Sequence, residues 1–268
     1  MPDAIPSPSH RDTVLCIHGS AVSGRSWNPI AAVLGDRFDV ATPDRLGCER
    51  GVAWPIGLAA SFESEAHHLA CQLGRHPGGV HVLAHSYGAA IALELALRWP
   101  QRVRSLTLFE PARFALLFHD AGSLAPRDEI VYVGGRVARL ARAGRLDEAA
   151  VLFVDYWSGT GAWRALDERQ RAGVRACMPK VAAEFDAAFA DRTPLQRFAA
   201  LTMPVCLMRG DASPAPVRRI VDLLADLVPG AEVVDLPGLG HMGPVTQPGR
   251  VVEALPQWLS PGDWRLAA

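Results

Sequence analysis

Short apolar runs alternate with amphipathic stretches over the first third of the chain. Thr13–Ile17, Phe38–Thr42, Val80–Ala84 and Val103–Phe109 are rich in β-branched and apolar residues, and turn residues close the first two, His18-Gly19 and Pro43. These runs read as buried strands. Between them Trp27–Leu34, a stretch from Ser61 to Arg75, and Ala89–Trp99 read as helices. Ser61 suits an N-cap, and Phe62, Ala66, Leu69, Ala70 and Leu73 form one apolar face behind it. Pro100 stops the third helix. Such β-α alternation predicts a parallel sheet with helices on both faces.

The rhythm then breaks. Residues 112–200 hold no strand pattern but helical ones near Arg127–Ala143, Leu146–Trp157, Asp167–Ala176 and Val181–Ala190. Alternation resumes with a strand at Pro204–Met208, a helix at Ala215–Leu227, a strand at Glu232–Leu236 and a helix at Arg250–Leu259, which Pro256 should kink or shorten. The expectation is one α/β core, residues 1–111 and 201–268, split by a helical insertion over 112–200. No internal repeat or low-complexity segment interrupts it.

Composition narrows the class. At roughly 150 residues per domain, a chain of 268 residues fits one large domain or one domain with an insertion. Hydrophobic residues at 49% and charged residues at 21% exclude a disordered or fibrous chain. With 27 basic and 28 acidic side chains there is no positive excess for nucleic acid or an anionic membrane surface. Lys180 is the one lysine, which reads as codon bias of a GC-rich genome. Cys16, Cys48, Cys71, Cys177 and Cys206 lack zinc or redox spacing and read as reduced thiols of a cytoplasmic protein. No signal segment or membrane span is expected, since Glu94 and Arg98 interrupt the most apolar stretch.

The sharpest chemical signal is Ala84-His85-Ser86-Tyr87-Gly88, between a predicted strand and a predicted helix. A tight turn there lifts the serine hydroxyl above the sheet and demands small residues two positions away, which Ala84 and Gly88 supply. Serine needs a base to become nucleophilic. His241, on the glycine-flanked loop Gly238-Leu239-Gly240-His241-Met242-Gly243 after the last strand, lies in the right chain order. That loop also spells G-x-G-x-x-G, but Pro244 follows at once and no helix-opening βαβ context exists, so no dinucleotide cofactor is expected. His18-Gly19-Ser20 closes the first strand, where the N–H of Ser20, or less readily Ala21, can join that of Tyr87 in an oxyanion hole. His67, His68 and Cys71 read as an ordinary helix face, not a metal site. Arg136, Arg139, Arg142 and Arg145 read as a solvated side opposite Ile130, Val133, Val137 and Leu140.

Together these residues resemble the α/β-hydrolase superfamily: His18-Gly19, Trp27, Pro43-Asp44-Arg45-Leu46-Gly47, the Ser86 turn, Phe109-Glu110-Pro111, Arg209-Gly210-Asp211 and Gly240-His241. The resemblance implies a three-layer, mostly parallel fold, a Ser–acid–His hydrolase without cofactor, and a helical cap over 112–200. Three departures stand out. Only about a dozen residues precede the first strand, so the sheet should shorten to about six strands with Phe38–Thr42 at an edge. Cys48 replaces a frequent histidine. Ser213 occupies the usual position of the acid, which leaves Glu110 and Asp211 as candidates. Glu110 is preferred for its reach, while Asp211 can serve a local turn instead. The expected function is hydrolysis of a small, mostly apolar ester, lactone or related carbonyl substrate through Ser86, His241 and the acid. A non-catalytic small-molecule binder of the same fold is the alternative, and a homo-oligomer is left open.

Overall fold

The computed structural model describes residues 11–48, 51, 54 and 59–259. Strands β1 (Thr13–Ile17), β2 (Asp39–Ala41), β3 (Val80–His85), β4 (Val103–Phe109), β5 (Val205–Gly210) and β6 (Glu232–Leu236) form one sheet in the order β2-β1-β3-β4-β5-β6. Every neighbouring pair is parallel. The short edge strand β2 pairs with β1 through three residues. The chain passes from β1 outward to β2 and then back across to β3, so strand order reverses beside β1. A crevice at the carboxyl ends of β1 and β3 follows from that reversal.

Alternation along each strand decides the layers. Leu15, Ile17, Val82, Ala84, Leu106 and Leu108 enter one buried cluster. Val14, Cys16, Leu83 and Phe109 enter a second one on the other face. The second face is covered by α1 (Asn28–Leu34), through Ile30 and Leu34. On the first face lie α2 (Phe62–Arg75) and α3 (Tyr87–Arg98). Ser61 caps α2, its side chain accepting from the Ser64 N–H at 3.0 Å.

Between β4 and β5 the chain runs through α4 (Leu124–Arg142), α5 (Leu146–Ser158), α6 (Ala162–Ala165) and α7 (Glu168–Ala190). After β5 come α8 (Ala215–Leu227), then, beyond β6, α9 (Gly243–Thr246) and α10 (Pro248–Glu253). Two expectations change. The segments Asp167–Ala176 and Val181–Ala190 are one continuous helix, α7, despite Pro179. The lost hydrogen bond is offset by burial of Met178, Val181, Ala182, Phe185 and Ala188 on both sides of the proline. The final helix ends at Glu253 and does not reach Leu259, since Pro256 cannot donate to a continuing turn. No helix among the described residues is long and apolar enough to cross a membrane. No group of three or more potential metal ligands is found among them either. Arg136, Arg139 and Arg142 face solvent along α4, with Ile130, Val133, Val137 and Leu140 buried behind them.

One buried arginine fastens the insertion to the core. Arg113 donates from Nη1 to the Ala90 carbonyl at 2.9 Å and from Nη2 to Glu94 at 3.1 Å, both on α3. Its Nε lies 2.8 Å from Asp191, just past α7, and its guanidinium stacks 4.5 Å over Phe62. Replacing it by an apolar side chain leaves buried Glu94 with Arg98 as its one remaining cation and takes the cation away from Asp191. Arg113→Met is therefore expected to lower the unfolding free energy by about 3 kcal/mol, the lower end for a broken buried pair because Arg98 still answers Glu94, read from the urea midpoint at constant slope. A change under about 1 kcal/mol would show that the ion pairs do not hold the insertion.

Candidate active site

Ser86 sits between β3 and α3 at φ 57°, ψ −123°, a conformation that costs a non-glycine residue about 1–3 kcal/mol. Its backbone is held from both sides: its N–H donates to Phe109 O at 2.9 Å, and its carbonyl accepts from Ala112 N–H at 3.1 Å. The turn is tight enough that a Cβ on Gly88 would lie 2.3 Å from the His18 carbonyl oxygen and 2.5 Å from that of Ile17. Small residues at this turn are thus a steric requirement.

His241 stands over the serine. Its Nε2 is 3.0 Å from Ser86 Oγ, and its Nδ1 is 2.6 Å from Glu110 Oε2. A carboxylate can only accept, so Nδ1 carries the proton and Nε2 is left to accept from the hydroxyl. Glu110 itself lies at φ 47° after β4, and its Oε1 accepts from the Gly210 N–H at 2.8 Å, at the end of β5. Ser86, Glu110 and His241 are all buried. Asp211 is not brought to His241: its carboxylate accepts from the Gly238 N–H at 2.5 Å and braces the exposed turn before the histidine loop. Ser213 is buried nearby with an unpartnered hydroxyl.

His85 was not singled out by sequence reasoning, although it precedes the serine. Its Nε2–H donates to the His241 carbonyl at 2.9 Å and its ring packs 4.8 Å from the His241 ring. Burial pushes its pKa well below the ordinary histidine value, with repulsion from His241 in the same direction, so it stays neutral. The Trp157 ring of α5 also packs on His241, with ring centroids 4.2 Å apart.

The loop after β1 is set by two donors on one carbonyl. Arg45 Nη2 and His18 Nδ1 donate to Gly19 O at 3.0 and 2.8 Å. A trans peptide points its N–H away from its carbonyl, so fixing Gly19 O orients the Ser20 N–H in the opposite sense. Tyr87 begins α3, where the first N–H groups lack intrahelical acceptors. Among the described residues, neither the Ser20 nor the Tyr87 N–H donates to a backbone carbonyl outside regular structure. Ser20, Ser86, Tyr87 and His241 line one cavity, walled by Phe114, Phe153, Trp157, Val181 and Phe185. His18 Nε2 accepts from the Arg45 N–H at 3.2 Å, and burial, then Arg45, lower its pKa to about 3.

The model of the alpha/beta hydrolase family matches residues 14–254. This chain belongs to the alpha/beta hydrolase family. Over 106 residues the chain is 36% identical to Lipase LipV of Mycobacterium tuberculosis, a stretch that is 39% of each chain. The match thus spans about two fifths of that relative's length. A hydrolase from Pseudomonas aeruginosa PA01 superposes with a TM-score of 0.73 at 21% identity, over 92% of this chain and 91% of that one. A thermophilic esterase from Thermogutta terrifontis gives 0.69 at 24% identity, over 92% and 89%. The last two similarities speak to the fold.

The two neutral histidines make the fold acid-sensitive. In the unfolded chain each titrates near ~6.5, whereas in the folded chain His18 titrates at about 3 and His85 well below its ordinary value. Below pH ~6.5 the unfolded state binds more protons, so stability falls as pH falls, by up to about 1.4 kcal/mol per pH unit per histidine. The urea midpoint should drop between pH 7 and pH 5, and His85→Gln should make that drop shallower. An identical pH slope in the variant would show that His85 is not kept neutral by the fold.

Proposed function

We propose that this protein is a serine hydrolase of small, mostly apolar esters, lactones or related carbonyl compounds. The observation that carries the reading is the unbroken path from Ser86 Oγ through His241 to Glu110, with contacts of 3.0 and 2.6 Å. Ser86 attacks the carbonyl carbon while His241 Nε2 takes its proton. Glu110 stabilises the imidazolium so formed. The N–H groups of Tyr87 and Ser20 receive the developing oxyanion. Collapse of the tetrahedral intermediate expels the alcohol, which takes the proton back from His241 and leaves an acyl-serine. Water, deprotonated by the same histidine, then releases the acid. The inserted helices act as a cap, and the aromatic side chains Phe114, Phe153, Trp157 and Phe185 favour an apolar acyl or alcohol group.

A fluorophosphonate should label the wild-type protein and not Ser86→Ala, and the variant should lose on the order of 10⁶ in kcat toward p-nitrophenyl esters. Retention of more than a few per cent of activity in a folded variant would remove Ser86 from the mechanism. Glu110→Gln should cost on the order of 10⁴ in kcat, and Asp211→Asn far less. The reverse ranking would assign the acid to Asp211.

A further inference from the structure

Helix α7 presents Val181, Glu184 and Phe185 to the cavity, at the i, i+3, i+4 spacing of one helix face. Two of these suit an apolar pocket. A carboxylate between them does not, because a buried charge is costly unless paired and hydrogen-bonded. Glu184 is 2% exposed. Its Oε1 lies 2.8 Å from Arg45 Nη1 and 3.3 Å from Lys180 Nζ. Glu65 shares both cations, at 3.1 and 3.0 Å. Two carboxylates thus meet two cations, and the charge of Glu184 is already answered through one oxygen.

Its other oxygen is different. Oε2 is buried, and among the described residues no group hydrogen-bonds it. The Ser20 hydroxyl is near enough to help hold the carboxyl below its ordinary range, after Arg45 and Lys180 have outweighed burial, but it stands outside hydrogen-bonding geometry for Oε2. The Tyr87 hydroxyl, in the same cavity wall, is also buried without a partner. A role limited to neutralising Arg45 uses Oε1 and leaves unexplained an acceptor withdrawn from water on a residue that lines the same cavity as Ser86. Leaving such an acceptor unmade costs about 1–3 kcal/mol, more for a charged group.

We propose that Glu184 Oε2 recognises the substrate, accepting a hydrogen bond from a neutral hydroxyl or N–H carried by the carbonyl compound bound at Ser86. The placement of that carbonyl rests on the serine-hydrolase reading. The donor is neutral because Arg45 and Lys180 have already balanced the carboxylate, so an ammonium group would add an unmatched positive charge to the cluster. The substrate class narrows accordingly from apolar esters in general to those with one donor on an otherwise apolar frame. A site built for such a donor discriminates against analogues that lack it.

Calorimetry on the Ser86→Ala protein reads this contact without turnover. The ligands are methyl hexanoate, its 2-hydroxy, 3-hydroxy and 6-hydroxy derivatives, and the matching methoxy esters. At least one hydroxylated ester should bind about 10-fold or more tightly than both hexanoate and its methoxy partner, which cannot donate. With Glu184→Gln added, that advantage should fall below about twofold. Binding of all hydroxylated esters within about twofold of hexanoate overturns the proposal, as does an advantage that the methoxy esters share. An advantage that survives Glu184→Gln overturns it too. If the double variant fails to fold, the hydroxy–methoxy comparison decides alone. Failure of the serine reading shows elsewhere, as ester turnover that persists in Ser86→Ala.

Discussion

A serine at φ 57° persists only where its surroundings over-determine it, and those surroundings are the ends of three neighbouring strands. Phe109 and Ala112, on either side of Glu110, hold the two backbone polar groups of Ser86. The crossing chain after β1 approaches so closely that Gly88 has no room for a Cβ, and a Cβ on Gly19 would come within 3.2 Å of Ser86 Cβ. The same tightness that lifts the hydroxyl therefore sets the Gly19–Ser20 peptide and the start of the Glu110 loop. Ser86, the Gly19–Ser20 loop and the Glu110 loop are positioned by one steric constraint at the carboxyl edge of the sheet.

Charges buried on either side of that edge join the inserted helices to it. Arg113 ties α3 to the residues after α7, and Arg45 ties the loop after β2 to Glu184 on α7 and to the Gly19 carbonyl. Each guanidinium also lies over an aromatic ring, Phe62 at 4.5 Å and Tyr87 at 5.0 Å. Apolar packing alone would let α7 slide along the cavity, since many registers bury similar area. Fixed pairing with two buried arginines admits one register. That register brings Val181, Glu184 and Phe185 to the cavity wall.

The carboxylate facing His241 comes from β4 instead of the strand end more usual in this family. A Cβ on Gly210 would fall 2.0 Å from the Leu239 carbonyl oxygen, so the histidine loop lies directly against the end of β5. Asp211 is turned outward there and spends its carboxylate on Gly238. Glu110 reaches across from the end of β4, and the Gly210 N–H steadies its second oxygen. The longer glutamate stem lets Glu110 meet His241 from one strand further away.

Much of this was legible in the chain. Apolar and β-branched runs marked all six strands; the four central ones are buried on both faces, while the edge strands β2 and β6 are partly exposed. Ala84 and Gly88 flagged the serine turn, because its steric demand is local. Chain order singled out His241. What sequence could not decide was pairing through space: Glu110 meets His241 across 131 residues and Ser86 meets it across 155. Which carboxylate comes to face His241 depends on how closely the histidine loop packs on β5, which no local pattern encodes. Asp167–Ala176 and Val181–Ala190 read as two helical patterns, and tertiary burial carries one helix through both and through Pro179 between them. Lys180 read as a trace of codon usage, yet it lies in the balanced cluster with Arg45, Glu65 and Glu184. Periodicity and steric need are properties of neighbours in sequence. Charge balance, and the identity of the side chain that meets each hydrogen bond, exist only once distant segments have been packed against one another.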